Sequence, residues 1–442
     1  LLFNRKPKTE NHFLAMAEQV LLLHRQPDRP LTLDEYRAHG GYEALIETVQ
    51  KRTPEEVRQA VLDANLRGRG GAWYPTGKKW SFIGKDYPRY IVPNTDEMEP
   101  GTFKDRVLVN VNPHLVLEGI ILSAYAISAA KGIFFIRPSY EMDAQLIERE
   151  LRVARDAGFL GNNILGNDFS FDLAVHRSAG RYICGEASAQ VNAIMGKRAH
   201  PNKEVHMANT GLWGKPTIVN NVETLSCVPH ILRKGPEWFK GLSRSPTDGG
   251  TKLYCISGRV SKPGCYELPM GTPFREILAE AGGLSPGSEF KAFLPGGAST
   301  SFLPAQFNDV PMDYDSFKKT DNPLGTGAVV VFDEKTCLVG AALNLLEYFA
   351  RESCGFCTPC REGLPFIRDL LQRIEVGEGK EEFIPMLKQM AHHMDKAYCG
   401  FAPGAAAPVL GLLRYFEDEV REHISQRTCP CPCEISELPP SD

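Results

Sequence analysis

Three cysteines stand two residues apart in Cys354-Gly-Phe-Cys357-Thr-Pro-Cys360. Thiolates at this spacing hold three corners of an iron–sulfur cube, and a distant fourth cysteine closes it. Cys399, in Ala397-Tyr-Cys-Gly-Phe401, is the expected fourth ligand because it falls at a break between two helical patterns. Gly355 and Gly400 flank the set and leave room for backbone N–H groups to reach the sulfurs. Tetrahedral zinc competes for the same residue types, but its usual pattern is two well-separated CxxC pairs. The tail triplet Cys429-Pro-Cys431-Pro-Cys433 matches no common ligand spacing and reads as a solvated, unliganded segment. Cys184, Cys227, Cys255, Cys265 and Cys337 are scattered and read as small buried residues.

Two further segments could do chemistry. Gly68-Arg-Gly-Gly-Ala-Trp73 invites comparison with the dinucleotide fingerprint GxGxxG and fails it: Trp73 takes the third glycine position, and the loop follows a helix instead of a strand. A structural turn and a cofactor contact are equally good readings of the loop alone. Successive glycine N–H groups form a nest for an anion such as phosphate, and Lys78 and Lys79 lie close enough to supplement it. Asp96, Glu97 and Glu99 crowd three carboxylates beside Pro100-Gly101. Such crowding serves ligand hydroxyls, amides or a metal; a solvated acidic turn is the plain alternative.

The elements that position these groups follow from pattern. Thr53-Pro54-Glu55-Glu56 sets an N-cap, a first-turn proline and a capping-box glutamate, opening a helix expected to reach Leu66. A short strand at 90–92 leads into the acidic turn. An apolar helix (about 113–130), a strand at 133–136, an amphipathic helix (about 140–157) and a strand at 171–176 follow, and their alternation predicts an α/β layer. From about Gly249 β-rich runs punctuated by Pro-Gly pairs predict a compact α+β unit. After Lys335 four helical patterns at 338–352, 361–376, 380–395 and 404–424 predict a bundle. The expected domains are 1–248, 249–335 and 336–425, with a flexible tail at 426–442.

Length and composition bound the function classes. The chain has 442 residues, 24% charged and 43% hydrophobic, with a net charge of −4. There is no basic footprint for nucleic acid and no polybasic membrane patch. The longest apolar stretch, from about Gly119 to Ala130, is shorter than the roughly 20 residues a bilayer crossing takes. The N-terminal residues lack a signal peptide's basic-then-apolar order. Twelve cysteines are too sparse for a disulfide scaffold, which favours metal binding in a reducing compartment.

Taken in order, several motifs resemble one family. They are Gly68-Arg-Gly-Gly-Ala, Pro75-Thr-Gly, Lys79-Trp80, Asp96-Glu97, Glu99-Pro-Gly-Thr-Phe-Lys-Asp-Arg106, Gly180-Arg-Tyr-Ile-Cys-Gly-Glu186, Trp213-Gly-Lys-Pro-Thr217, Asn220-Asn-Val-Glu-Thr224 and Glu352-Ser-Cys-Gly-Phe-Cys-Thr-Pro-Cys-Arg-Glu-Gly363. From about Leu31 to Phe416 the chain is similar to the FMN- and NADH-binding flavoprotein of respiratory complex I, the family of NADH-quinone oxidoreductase F subunits. Relatives occur in NAD-linked hydrogenases and formate dehydrogenases.

The resemblance implies an FMN-binding α/β domain, a small ubiquitin-like (SLBB-type) domain and a C-terminal four-helix bundle carrying a 4Fe–4S cluster on Cys354, Cys357, Cys360 and Cys399. It implies an electron-transport oxidoreductase in which NADH gives a hydride to FMN and electrons pass singly to the cluster. FMN contacts are implied for Gly68, Arg69, Gly70, Gly71, Lys79, Asn94, Asp96, Glu97, Tyr182, Gly185, Glu186, Asn220 and Asn221. NADH contacts are implied for Tyr74, Phe82, Glu99 and Lys203. No side chain is a catalytic acid or base; Glu97 and Glu99 position. The implied partners are a 2Fe–2S thioredoxin-like subunit and a large iron–sulfur subunit, with no nucleic acid and no direct membrane insertion. The implied location is cytoplasmic, on the peripheral side of a membrane-bound complex.

Departures from the family gather in the NADH site. Trp73 stands where it has glycine, Ala187 where it has a second glutamate, His206 near a stacking phenylalanine, and Lys78 at an apolar position. The bulk of Trp73 is expected to enter the dinucleotide cleft beside Tyr74, Phe82 and His206. Two readings follow: NADH dehydrogenation, or an electron-transfer or scaffold subunit that keeps FMN and cluster but has lost or altered NADH oxidation.

Overall fold

The computed structural model describes residues 18–26 and 28–431. Its first layer is a four-stranded, all-parallel sheet of β1 (Tyr90–Thr95), β2 (Lys131–Ile136), β3 (Asp172–Arg177) and β4 (Thr217–Asn221), in the order β3-β2-β1-β4. Parallel neighbours need crossovers. Helix Pro113–Ile127 supplies the first and helix Glu141–Asp156 the second. The former is apolar around nearly its whole circumference and buried accordingly. The chain runs outward from β1 through β2 to β3 and then returns to β4 on the other side of β1. This reversal opens a crevice at the carboxyl ends of β1 and β4, where α/β sheets bind ligands.

The Thr53 capping box forms as expected, with the Thr53 side chain and Glu56 satisfying one another's backbone N–H groups. The helix stops at Asp63, before Leu66, because Asn65 takes a left-handed φ of 52°. The apolar helix likewise ends at Ile127, where Ser128 turns left-handed.

The second sheet is mixed, in the order β6-β5-β8-β7, built from β5 (Thr251–Gly258), β6 (Gly264–Pro269), β7 (Phe290–Leu294) and β8 (Ala328–Asp333). Helix Phe274–Glu280 packs Phe274 and Ile277 into its core.

The C-terminal helices are Leu338–Glu352, Thr358–Glu375, Phe383–His393, Phe401–Tyr415 and Glu417–Gln426. The expected helix at 404–424 is thus two helices, broken where Phe416 leaves helical geometry. Their apolar faces share a core with Ile183 and Ala189 of the first layer and Ala292, Leu294 and Phe302 of the second. The expected tail lies mostly outside the described residues, Cys433 included. The part that is described carries Cys429 and Cys431 against the helices, so these two are not solvated as expected. Among the described residues no single helix is long and apolar enough to cross a membrane.

Candidate functional site

The cysteine motif occupies the turn between two C-terminal helices. Helix Thr358–Glu375 begins earlier than its pattern suggested, with Pro359 in the first turn, so Cys357 is the N-cap and Cys360 lies inside. Gly355 takes a φ of 74°, which lets the chain curl back between Cys354 and Cys357. Cys399 arrives from the break between Met394–Lys396 and Phe401–Tyr415. Backbone N–H of Tyr398 points at Cys357 Sγ (3.4 Å), and Ser353 Oγ meets Cys360 Sγ at 3.1 Å. Burial pushes the Cys360 thiol up to about 12, and Cys357, Cys354 and Cys399 add to the rise. Thiols gathered in this way suit a cationic iron–sulfur core, which would balance the charge of their thiolates.

The second centre forms at the crevice. A cavity of about 1080 Å³ opens there, and Gly70, Gly71, Asn94, Asp96, Glu97, Glu99, Tyr182, Gly185, Glu186 and Asn221 line it. Cys399, Gly400 and Phe401 line the same cavity, so the cysteine centre adjoins it directly. Gly71 turns at φ 101°, and a side chain on Gly70 would press on Asn221 Cβ at 3.2 Å. A Cβ on Gly185 would meet nothing within 4 Å, as expected for a wall kept open for a ligand.

Asp96 is 6% exposed. Ser178 Oγ donates to its Oδ1 at 2.8 Å, while Oδ2 has no partner, and burial raises its pKa to about 6. Glu97 accepts from Asp105 N (2.9 Å) and Arg106 N (3.3 Å), and burial, then Asp105, lift it to about 7. Glu186 caps the helix Ala187–Ile194 by accepting from Ala189 N at 2.8 Å. Glu99 accepts from the Tyr182 phenol and from Ser299 N at 2.6 Å. The acidic turn is therefore buried and clamped from both other layers, since Tyr348 also donates to Met98 O (2.6 Å).

Several expected flavin residues lie outside the cavity wall. Gly68 closes the loop through its N–H to Tyr74 O (2.9 Å). The Arg69 guanidinium turns away, to Gly249 O at 2.6 Å and Thr251 O at 3.3 Å. Asn220 accepts from Trp80 Nε1 at 2.9 Å. The Lys79 ammonium reaches Val219 O, just before Asn220-Asn221, and has no carboxylate partner among the described residues. Burial lowers its pKa to about 8. On the wall, an unpaired carboxylate oxygen and open glycines fit a group with hydroxyls and ring amides, and just behind it a half-buried cation with no carboxylate partner among the described residues fits a phosphate; FMN has all three.

Three side chains were not singled out from sequence: Lys104 and Asp105 on the cavity wall and Glu223 behind them. Lys104 Nζ bonds Asp105 Oδ1 (2.6 Å), Glu223 Oε2 (3.0 Å) and Asn221 Oδ1 (3.1 Å). Asn221 Nδ2 reaches Asp105 Oδ2 at 2.6 Å, and Lys252 Nζ lies 2.8 Å from Glu223 Oε2. Lys104, Asp105 and Glu223 fall within the quoted motifs, so charged residues in otherwise apolar helices were the available signal.

The expected dinucleotide residues are only partly gathered. Tyr74 and Phe82 are exposed, at 44% and 53%, and face solvent. Lys203 lies over the Tyr398 ring. Trp73 differs most from expectation. Its indole does not sit among Tyr74, Phe82 and His206; it is 2% exposed and packs into the core of the second sheet, with Nε1 donating to Gly325 O at 2.7 Å. It holds the left-handed φ of 54° that glycine would take freely.

Sequence families match all three layers. The Nuo51 FMN-binding domain matches residues 61–230, the SLBB domain 253–303, and the NADH-ubiquinone oxidoreductase-F iron-sulfur binding region 340–423. The chain is 46% identical over 409 residues to the NADH-quinone oxidoreductase F subunit of Escherichia coli, covering 91% of this chain and 92% of that one. It is 45% identical over 423 residues to the second NADH-quinone oxidoreductase F subunit of Rhizobium meliloti, covering 94% and 100%. Among solved structures, an NAD+-reducing NiFe hydrogenase in the H2-reduced state superposes with a TM-score of 0.78 at 34% identity, over 91% of this chain and 67% of that chain.

Proposed function

The chain belongs to the family of NADH-quinone oxidoreductase F subunits, and from that premise we propose how its residues serve the activity. It is an oxidoreductase subunit with NADH dehydrogenase activity, FMN and a 4Fe–4S cluster as cofactors, and NADH as substrate. When bound, FMN accepts the hydride and the cluster takes up electrons one at a time.

The chain's own residues bind, orient and shield. Gly70 and Gly71 let the loop backbone approach the flavin, Asp96 and Asn94 meet its polar edge, and Asn221 on the wall takes the phosphate side, backed by Lys79 and Asn220 behind it. Glu97 orders the following helix through Asp105 N and Arg106 N. Glu99 holds Tyr182 against Phe401, whose rings meet edge to face at 5.2 Å beside Cys399-Gly400. Tyr74 and Phe82 take the adenine of NADH, and Glu99 and Lys203 make further contacts with it.

One observation supports this reading above the rest: the cavity with the open glycine wall and the unpaired Asp96 oxygen is bounded on another side by Cys399. Donor and acceptor groups held there would be neighbours. The alternative, a subunit that kept FMN and cluster but abandoned NADH, is not favoured, because the Trp73 indole packs into the core of the second sheet and enters the cavity only as part of its wall.

The finer architecture is part of the same proposal. Residues 1–248, 249–335 and 336–425 act as three domains; the second is ubiquitin-like and the third a four-helix bundle on which Glu417–Gln426 packs as a fifth helix, followed by the 426–442 tail. The protein sits peripherally in a multi-subunit complex, and its neighbours carry a 2Fe–2S centre and further clusters. Anaerobic addition of NADH to the FMN-loaded chain should bleach the flavin absorbance. Full FMN occupancy with no bleaching would overturn the NADH assignment.

A further inference from the structure

A second group of metal-ligating side chains lies in the same helical layer and shares no residue with the four cluster cysteines. Cys337 Sγ, Glu375, His423 and Cys429 Sγ place one ligand atom each within 4.8 Å of all the others. Four separate segments bring them together. Cys337 caps helix Leu338–Glu352, Glu375 ends helix Thr358–Glu375, His423 lies in the last turn of Glu417–Gln426, and Cys429 follows that helix. We propose that Cys337, Glu375, His423 and Cys429 form a structural zinc site that staples the C-terminal segment to the cluster-bearing helices.

The geometry is that of a prepared site. His423 Nε2 stands 3.3 Å from Cys337 Sγ and 3.3 Å from Glu375 Oε2, and Cys337 Sγ is 3.5 Å from that same carboxylate oxygen. Three donors thus converge on one point. His423 Nδ1 lies 2.8 Å from Glu419 O. A carbonyl only accepts, so Nδ1 carries a proton and Nε2 is the nitrogen turned toward Cys337 and Glu375, where a metal would take the place of any proton on it. This outer hydrogen bond is what orients metal-bound histidines. The Gly340 N–H reaches Cys337 Sγ at 3.1 Å, a backbone donor placed as one to a metal-bound sulfur would be. Cys337 and His423 are both fully buried.

Two glycines make room for the arrangement. A Cβ on Gly340 would stand 3.2 Å from Glu375 Oε1. A Cβ on Gly377 would stand 2.1 Å from Arg427 O, so the chain leaving the last helix lies flat against Gly377 on its way to Cys429. Cys431 follows and forms a second close group with Cys337 and Glu419, offering a further thiol on the same side. Two sulfurs, one imidazole nitrogen and one carboxylate oxygen are a tetrahedral set suited to Zn2+. In such ligand-built sites, metal binding and local folding are one equilibrium.

The test uses the full-length chain purified under reducing conditions, with iron and zinc measured together and zinc alone as the added probe. Wild type should hold one zinc per chain beyond its iron. X-ray absorption at the zinc edge should show sulfur scatterers at about 2.3 Å together with lighter atoms. Cys429→Ala and Cys337→Ser should lose zinc to a chelator at least tenfold more readily while keeping their iron. Cys429→Ala decides alone if Cys337→Ser fails to fold. Wild type that takes up no zinc, zinc held equally by both variants, or a zinc edge without sulfur would each overturn the site. So would a peptide map of the reduced preparation that recovers Cys337 disulfide-linked to Cys429.

Discussion

The indole nitrogen of Trp73 donates to the carbonyl of Gly325 at 2.7 Å, tying the glycine loop of the parallel sheet to the turn before β8. The tryptophan is therefore a bracket between two layers and leaves the cavity beside it open. Trp73→Gly would relieve a left-handed residue, worth about 1–2 kcal/mol, but would remove a buried indole, a loss of about 3–5 kcal/mol. We expect a lower unfolding midpoint and weaker FMN retention, with NADH affinity unimproved. A variant that binds NADH more tightly at unchanged stability would contradict the bracket.

Asp96 should trade stability for ligand binding. Its folded pKa of about 6 exceeds the ordinary 3.8 because of burial. Between those values the native state binds more protons than the unfolded one, so stability falls as pH rises through that window. At neutral pH the cost is on the order of 3 kcal/mol. Asp96→Asn should make the FMN-free protein more stable at pH 8, flatten its stability between pH 4 and 6, and weaken FMN binding. Chemical denaturation across pH, beside a flavin titration, reads all three effects.

Lys79 makes FMN binding pH-dependent. Burial lowers its pKa to about 8, so without ligand the ammonium fades above that pH. The unfolded state then binds more protons, and FMN-free stability rises with pH from about 8 towards the ordinary lysine value. A phosphate needs the charged form. FMN affinity should fall by up to about tenfold per pH unit above 8, while riboflavin, which lacks the phosphate, should show a flat profile. Lys79→Met should erase the difference between the two ligands. An FMN profile as flat as that of riboflavin would remove Lys79 from the phosphate site.

The turn that carries Cys354, Cys357 and Cys360 and the Thr53 capping box were legible in the sequence because both are local patterns. The α/β alternation and the C-terminal helices were legible from periodicity, although the break at Phe416 was not, since no glycine or proline marks it. The direction of Trp73 was hidden because its partner, Gly325, lies far along the chain. The clamping of the acidic turn was hidden for the same reason: a solvated turn stays open as a reading until Ser178 meets Asp96 from further along the first layer and Ser299 and Tyr348 reach Glu99 and Met98 from the other two. Cys337 and Cys429 looked unrelated because four segments must fold before they meet.

Cys357→Ser should remove the iron and loosen the C-terminal helices together. Cys357 is the N-cap of Thr358–Glu375 and accepts from Tyr398 N at 3.4 Å, so it joins the cysteine turn to the Cys399 segment. Losing a ligand of a folding-coupled site should release the metal and the local order with it. Iron analysis should show the cluster gone, and hydrogen exchange should rise across 353–400 while the parallel sheet stays protected. A variant that keeps full iron would unseat Cys357 as a ligand.

Glu223 is the most demanding charge in the protein. It is fully buried, with Lys252 Nζ at 2.8 Å and Lys104 Nζ at 3.0 Å. Burial alone would raise its pKa, yet Lys252 and Lys104 outweigh burial and hold it at about 2. Its folded pKa is depressed, so its stabilisation is present above the ordinary 4.5 and is lost as pH falls towards 2. Glu223→Gln keeps the shape but removes the carboxylate facing Lys252 and leaves it neutral acceptors such as Leu253 O at 2.8 Å, whereas Lys104 retains Asp105 at 2.6 Å. An uncompensated buried charge costs about 3–5 kcal/mol, so this variant should be severely destabilised at pH 7. It should partly recover at higher pH as Lys252 sheds its proton. Adding Lys252→Met removes the stranded charge and should restore most of the stability, because a buried pair replaced by apolar groups is often close to neutral. FMN retention should follow the same order, since Asn221 Oδ1 accepts both Glu223 N (3.0 Å) and Lys104 Nζ (3.1 Å). Unfolding midpoints and flavin content of the single and double variants across pH test the network; a double variant no more stable than Glu223→Gln would show that the lysine charge is not what the carboxylate was holding.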